Sequence, residues 1–331
     1  HTKVADVAWT GLPMAPADDP MPRFLYPPST AATYNMVAVA AQAARIWRTS
    51  DPAFAARALA AARRGWAAAQ RVPDLYASSD FAGSGGYGDK QIADERFWAA
   101  AELFTTTGDA ALRDIVADSP FLRDESVDFG WGGTALPGLL TLATVPNPLP
   151  ADRIAAIRAH VVALANRILA ERDRSGYRLP KAGDAFEWGS SSTMLNRAML
   201  LGVAWQISRK PVYRDAVVDV ADYVYGRNAL DRSFVTGFGV RTMHQPHHRF
   251  WAHAADPRYP APPPGVISGG PNSSARQDDA ILRGKCVGQT CWRDDWRAFT
   301  MNEVAINWNA PLVWVTAFLD ATRVRRAPTP A

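Results

Sequence analysis

Helical periodicity, almost unbroken by strand signals, is what most limits the fold open to this 331-residue chain. From Thr30 onward, Ala, Val, Leu and Ile recur at three- and four-residue spacing. Arg and Gln interrupt the Ala-rich runs with the same period, as on helices that bury one face. Ser29 or Thr30 can cap a helix to about residue 49, and Asp51-Pro52 gives an N-cap with proline at the first helical position for one to about residue 70. Further helices are expected over about 92–107 (stopped by Gly108), 109–118, 136–143, 151–172, 190–208, 211–225 and 302–323. Alternating β-branched segments with tight turns are nearly absent. Helices joined by loops, without a heptad seam or a strict repeat, predict an all-α assembly of packed hairpins rather than a coiled coil or solenoid.

Two irregular stretches punctuate this pattern. Prolines at 13, 16, 20, 22, 27 and 28 forbid a long helix over residues 1–28. The stretch 228–300 is longer than compact domains carry without a functional reason. The net charge is +4 with dispersed basic residues, Arg63-Arg64 and Arg325-Arg326 being the densest pairs, so no nucleic-acid stripe forms. No window approaches the roughly 20 apolar residues of a membrane span. Cys286 and Cys291 are the chain's two cysteines. They form either a short disulfide-closed loop, implying an oxidising compartment, or a pair of free thiols; a metal knuckle would need ligands the segment lacks. The chain opens on His1 rather than Met, so the lack of a leader says nothing about export.

The most informative segment is 292–312, WRDDWRAFTMNEVAINWNAPL. It gathers Asp294, Asp295 and Glu303 among Trp292, Trp296 and Phe299. A carboxyl beside aromatic walls loses hydration, which raises its pKa and equips it to donate a proton near neutral pH. The competing reading makes Glu303 an ordinary glutamate in the first turn of a helix, favoured by the macrodipole.

Trp292-x-Asp294, Phe299, Glu303-x-Ala305 and Asn309-Ala310 resemble an active-site signature of glycoside hydrolase family 9, the inverting cellulases. The run 233–249, SFVTGFGVRTMHQPHHR, resembles the family's other signature, which ends Pro-His-x-Arg. Weaker likeness extends through RFLYPPSTAATYNMVAVAAQAARIW, YGDKQIADERFWAAAELF and FEWGSSSTMLNRAML. The resemblance implies an (α/α)6 toroid, with residues 1–331 as one catalytic domain whose first helices would lie upstream. It implies inverting hydrolysis of β-1,4-glucans by a secreted enzyme. Glu303 would be the general acid, Asp294 its support, and His247 and Arg249 contacts to the sugar beside the scissile bond.

Inversion needs a second carboxylate, roughly 6.5–9.5 Å from the acid, to activate water. The family draws it from an Asp-Ala-Gly-Asp-Tyr-like segment absent from these residues, so an N-terminal segment is expected to supply it. Asp128 and Asp184 are the nearest substitutes by sequence. Open alternatives are exo-acting or β-glucosaminide-specific hydrolysis on the same fold, and a non-catalytic glycan-binding remnant.

Four of the six histidines, His244, His247, His248 and His253, fall within ten residues. They read as sugar-hydroxyl partners or, alternatively, as zinc ligands, although no cysteine or carboxylate stands at ligand spacing. Of the twelve tryptophans, Trp131, Trp188, Trp251 and Trp296 sit in polar loops and are either sugar platforms or core. The resemblance favours Trp188 and Tyr87 as subsite aromatics. In some family members a pair like Asp94-Glu95 helps bind calcium, together with an aspartate that follows a tryptophan. Here Gly132 follows Trp131, so no cofactor is expected, with calcium the open alternative, and the pair reads as two acids at a helix N-terminus.

Overall fold

The computed structural model describes residues 2–3, 10–22, 24–25, 27–77, 88–274 and 286–323. Among them, ten α-helices form: α1 (Thr30–Ile46), α2 (Pro52–Arg71), α3 (Ala93–Thr107), α4 (Ala110–Ala117), α5 (Ala135–Thr144), α6 (Ala151–Arg172), α7 (Ser190–Ser208), α8 (Pro211–Val224), α9 (Phe299–Asn302) and α10 (Ile306–Ala321). Thr2–Lys3 pairs antiparallel with Phe24–Leu25, a ladder only two residues long.

The residues group into two compact units: 1–9 with 20–164, and 10–19 with 165–331. In the first, α1 packs on α2 and α3, and α3 packs on α4 and α5. Ser29 Oγ accepts the Ala32 N–H and Asp51 Oδ1 the Phe54 N–H, so both caps form where the sequence places them. Gly108 ends α3 in the left-handed region at φ +70°. Buried Glu102 ties three helices together. It takes Arg45 at 2.7 Å from α1 and Thr141 Oγ1 at 2.7 Å from α5.

In the second unit α7 packs on α8 and α10. Trp314 and Phe318 of α10 stack at 5.3 Å, and Gly202 of α7 allows the close approach, since a Cβ there would lie 2.6 Å from Trp314. Asp219 of α8 binds three guanidiniums, those of Arg172, Arg178 and Arg227. No described helix is long and apolar enough to cross a membrane.

One expectation fails at a functionally important place. The helix read as starting at residue 302 begins at Ile306, and Glu303 stands outside it, in extended backbone at φ −56°, ψ 146°. Long-range hydrogen bonds override local propensity here. The Asn302 carbonyl accepts the His247 N–H at 2.8 Å, and the Glu303 carbonyl accepts the Gly269 N–H at 3.0 Å. Asp94 and Glu95 do stand in the first turn of α3, as expected, and both are buried there.

Arg45→Ala would leave the Glu102 carboxylate buried without its cation. We expect roughly 3–5 kcal/mol lower stability in urea unfolding, and a loss near zero would show that the pair is dispensable.

Candidate active site

Glu303 opens the three-residue gap between α9 and α10, and its neighbours come from four separate stretches of the second unit. Its backbone forms a parallel bridge with His247. Gly269 approaches closely because it lacks a side chain: a Cβ there would lie 2.9 Å from the Trp308 ring. Gly189, at φ +83°, makes the same accommodation on the other side of Trp308. Asn302 secures the preceding turn, donating from Nδ2 to the carbonyls of Arg293 at 2.6 Å and Asp295 at 3.0 Å. Asn309 Oδ1 accepts the Ile267 N–H at 3.1 Å, anchoring the start of α10.

The side chain of Glu303 is half-buried. Loss of hydration pushes its pKa above the usual carboxylate range, against opposing pulls from the Trp188 hydrogen bond and the Arg249 charge. Trp188 Nε1–H donates to Glu303 Oε2 at 3.1 Å, while 43 % of the residue stays exposed. Phe299 lies between two rings, 5.6 Å from Trp188 and 5.6 Å from His247.

His247 Nδ1–H donates to the Trp296 carbonyl at 2.7 Å. Burial lowers its pKa, so at neutral pH the ring is uncharged and Nε2 carries a lone pair ready to accept from a hydroxyl. Arg249 is oriented by Thr10, whose carbonyl and Oγ1 accept its Nε–H at 3.1 and 2.8 Å. Asp294 supports this bend from below. Its oxygens accept the backbone N–H groups of His244 (3.0 Å) and Gln245 (2.8 Å), so its place is in holding the loop that carries His247. Neighbouring Asp295 is committed to Arg297 at 2.6 Å.

The expected residues Glu303, Trp188, His247, Arg249 and Asp294 therefore converge in one unit. Tyr87 lies outside the described residues. Trp131, 62 % exposed, and Asp128 belong to the first unit, and Asp184 lies against Gly288. Trp251 stacks on His248 at 4.2 Å, and Trp292 is core against Phe234. Sequence reasoning missed Thr10, Gly269 and Trp308. The Gly269-Gly270 pair was the one available signal, since Gly270 at φ +85° needs glycine and packs on Ser191.

The metal alternatives meet a different geometry. His248 Nδ1 accepts the Trp251 N–H at 2.9 Å and His253 Nδ1 binds the Tyr259 carbonyl at 3.1 Å, so these imidazoles engage backbone rather than one another. Asp89, Asp94 and Glu95 bury carboxylate oxygens with no donor facing them, and burial plus the two aspartates raises Glu95 to about 8. The oxygens suit a hard cation. Among the described residues no group of three His, Cys, Asp or Glu side chains gathers there. Cys286 and Cys291 form a disulfide, closing the loop that leads into Trp292.

A desolvated carboxyl, a neutral imidazole, a guanidinium and an exposed indole are chemically able to deliver a proton beside a hydroxyl-bearing ligand. Comparison with known proteins gives the family. Residues 2–316 match the profile of glycosyl hydrolase family 9, and the chain belongs to that family. It is 43 % identical to endoglucanase C of Cellulomonas fimi over 99 % of this chain and 31 % of that protein. It is 40 % identical to a cellulose 1,4-β-cellobiosidase of Acetivibrio thermocellus over 97 % of this chain and 39 % of that one. Among solved structures it is similar to the family 9 endoglucanase J30, with TM-score 0.84 and 32 % identity over 94 % of this chain and 58 % of that one. It is also similar to AaCel9A in complex with cellobiose-like isofagomine, with TM-score 0.85 and 32 % identity over 94 % of this chain and 59 % of that one. The described helices accordingly follow the family's (α/α)6 fold. The chain spans about a third of the length of those two curated relatives.

Because its folded pKa is raised, Glu303 favours folding below the ordinary glutamate pKa, and that contribution is lost as pH rises through the folded value. Glu303→Gln cannot ionise. Its urea midpoint should exceed that of the parent at pH 8 and match it at pH 4. An equal gap at both pH values would contradict the shift.

Proposed function

We propose that the protein containing this chain hydrolyses β-1,4-glucosidic bonds in cellulose or related β-glucans, with inversion and with Glu303 as general acid. The observation that carries this reading is the half-buried Glu303 carboxyl, fixed by the Trp188 indole and flanked by His247 and Arg249. In this reading Glu303 protonates the leaving oxygen as the C1–O bond breaks. His247 Nε2 and Arg249 grip hydroxyls of the adjoining sugar, and the exposed face of Trp188 carries a pyranose ring.

The base is a carboxylate on the opposite face of the sugar, contributed by a further helical segment. Two exposed apolar stripes favour such a segment. On α1, Ala32, Met36, Val39 and Ile46 share one face, and on α10, Ile306, Ala310, Val313 and Ala317 do. Ile306 and Val313 are 91 % and 66 % exposed, unusual for large aliphatics on helices of a finished core. The disulfide and the polymeric substrate both favour a secreted enzyme.

The name of the cellobiosidase relative favours a second reading, in which the enzyme releases cellobiose from chain ends. A digest of cellohexaose by the full-length protein separates the two. Endo action gives a spread of products, exo action gives cellobiose, and a glycan binder gives none. Inversion requires the newly formed reducing end to appear first as the α-anomer by NMR. Glu303→Gln should lose about 10²–10⁴ of the rate on cellohexaose with binding largely kept. Near-parental turnover in that variant would reject Glu303 as the acid.

A further inference from the structure

Trp188 stands just ahead of α7 with restricted freedom. Gly189 after it is locked against Trp308, and Glu187 before it pairs with Lys181 at 3.1 Å. Its ring leans on Phe299, and its N–H reaches Glu303 Oε2 at 3.1 Å. That is the one hydrogen bond made by the Glu303 side chain among the described residues. An indole N–H donates and cannot accept. It therefore favours the carboxyl geometry in which Oε2 is the acceptor and Oε1 carries the hydrogen.

We propose that Trp188 is a positioning residue for Glu303, its indole N–H fixing Oε2 so that Oε1 holds the proton delivered to the leaving oxygen. This rests on the function proposed above. In the step, the Oε1–H bond breaks and the proton joins the glycosidic oxygen, which keeps the electron pair of the broken C1–O bond. Water adds to C1, its proton passes to the carboxylate base, and Glu303 is left as an anion that solvent reprotonates. The same indole N–H then stabilises that anion, so one donor serves both states of the acid. Trp188 thus combines two jobs, with its N–H edge turned to the acid and part of its surface left open.

Trp188→Phe keeps a flat ring and removes the donor, which separates the two jobs. In the full-length protein on cellotetraose, kcat should fall about tenfold or more while KM stays within about twofold. Losing a donor to the ionised form moves the acid's pKa up, so the basic limb of the pH profile should rise by about one unit. On 2,4-dinitrophenyl cellobioside, whose leaving group needs no proton, the loss should be under about threefold. Equal losses on both substrates, or a change confined to KM with an unmoved pH profile, would overturn the proposal. A carbon-13 titration of Glu303 in the 331-residue chain reads the same bond without turnover. A higher midpoint in Trp188→Phe supports it, and an unchanged one refutes it. If the parent protein releases no sugar, the proposed function fails while this titration still decides the role of Trp188.

Discussion

The structure of the site depends on keeping Glu303 out of a helix. Sequence on either side is helical, and one continuous helix would turn the residue with the helical period and leave its backbone satisfied locally. Instead the Asn302 and Glu303 carbonyls accept N–H groups from His247 and Gly269, more than thirty residues away in sequence. Those two bonds fix the acid relative to the imidazole before any side chain is considered. An extended residue between two helices is more rigidly placed this way than on a free loop, because both flanks and both sides are tied.

Around that point the polar groups are spent on one another in a consistent order. Asp294 holds the backbone ahead of His247, the Trp296 carbonyl fixes the His247 tautomer, and Thr10 orients Arg249. Each of these groups is thus set by a partner on another segment or in the backbone. Unengaged by these bonds are Nε2 of His247, one oxygen of Glu303 and part of the Trp188 surface. Desolvation favours the protonated acid, while the indole and guanidinium oppose the shift. The net direction is upward, so the carboxyl keeps its proton to a higher pH than an ordinary glutamate.

Much of the fold was legible because helix signals are local. The caps at Ser29 and Asp51, the stop at Gly108 and the proline opening α8 all act within a turn of where they stand in sequence. The candidate site residues were picked out by residue types at fixed spacing, and the five that are described lie in the second unit. What sequence could not show were interactions set by distant packing. Glu303 read as a first-turn acid because nothing nearby announces that Gly269 and His247 will capture its strand. Thr10 lies 239 residues from Arg249. Trp308 carries no local signal, and its contact with both Gly189 and Gly269 exists only once three segments have assembled. Asp94 and Glu95 carried the right local signal for a helix start, while their burial is set by packing that sequence does not show.

The most direct measurement is a crystal structure of the Glu303→Gln variant with cellotetraose bound. The account predicts a glycosidic oxygen within roughly 2.6–3.2 Å of the residue 303 amide, a hydroxyl on His247 Nε2 and a pyranose against the Trp188 face. A sugar bound away from this gap, or a residue 303 side chain turned from the scissile oxygen, would contradict it.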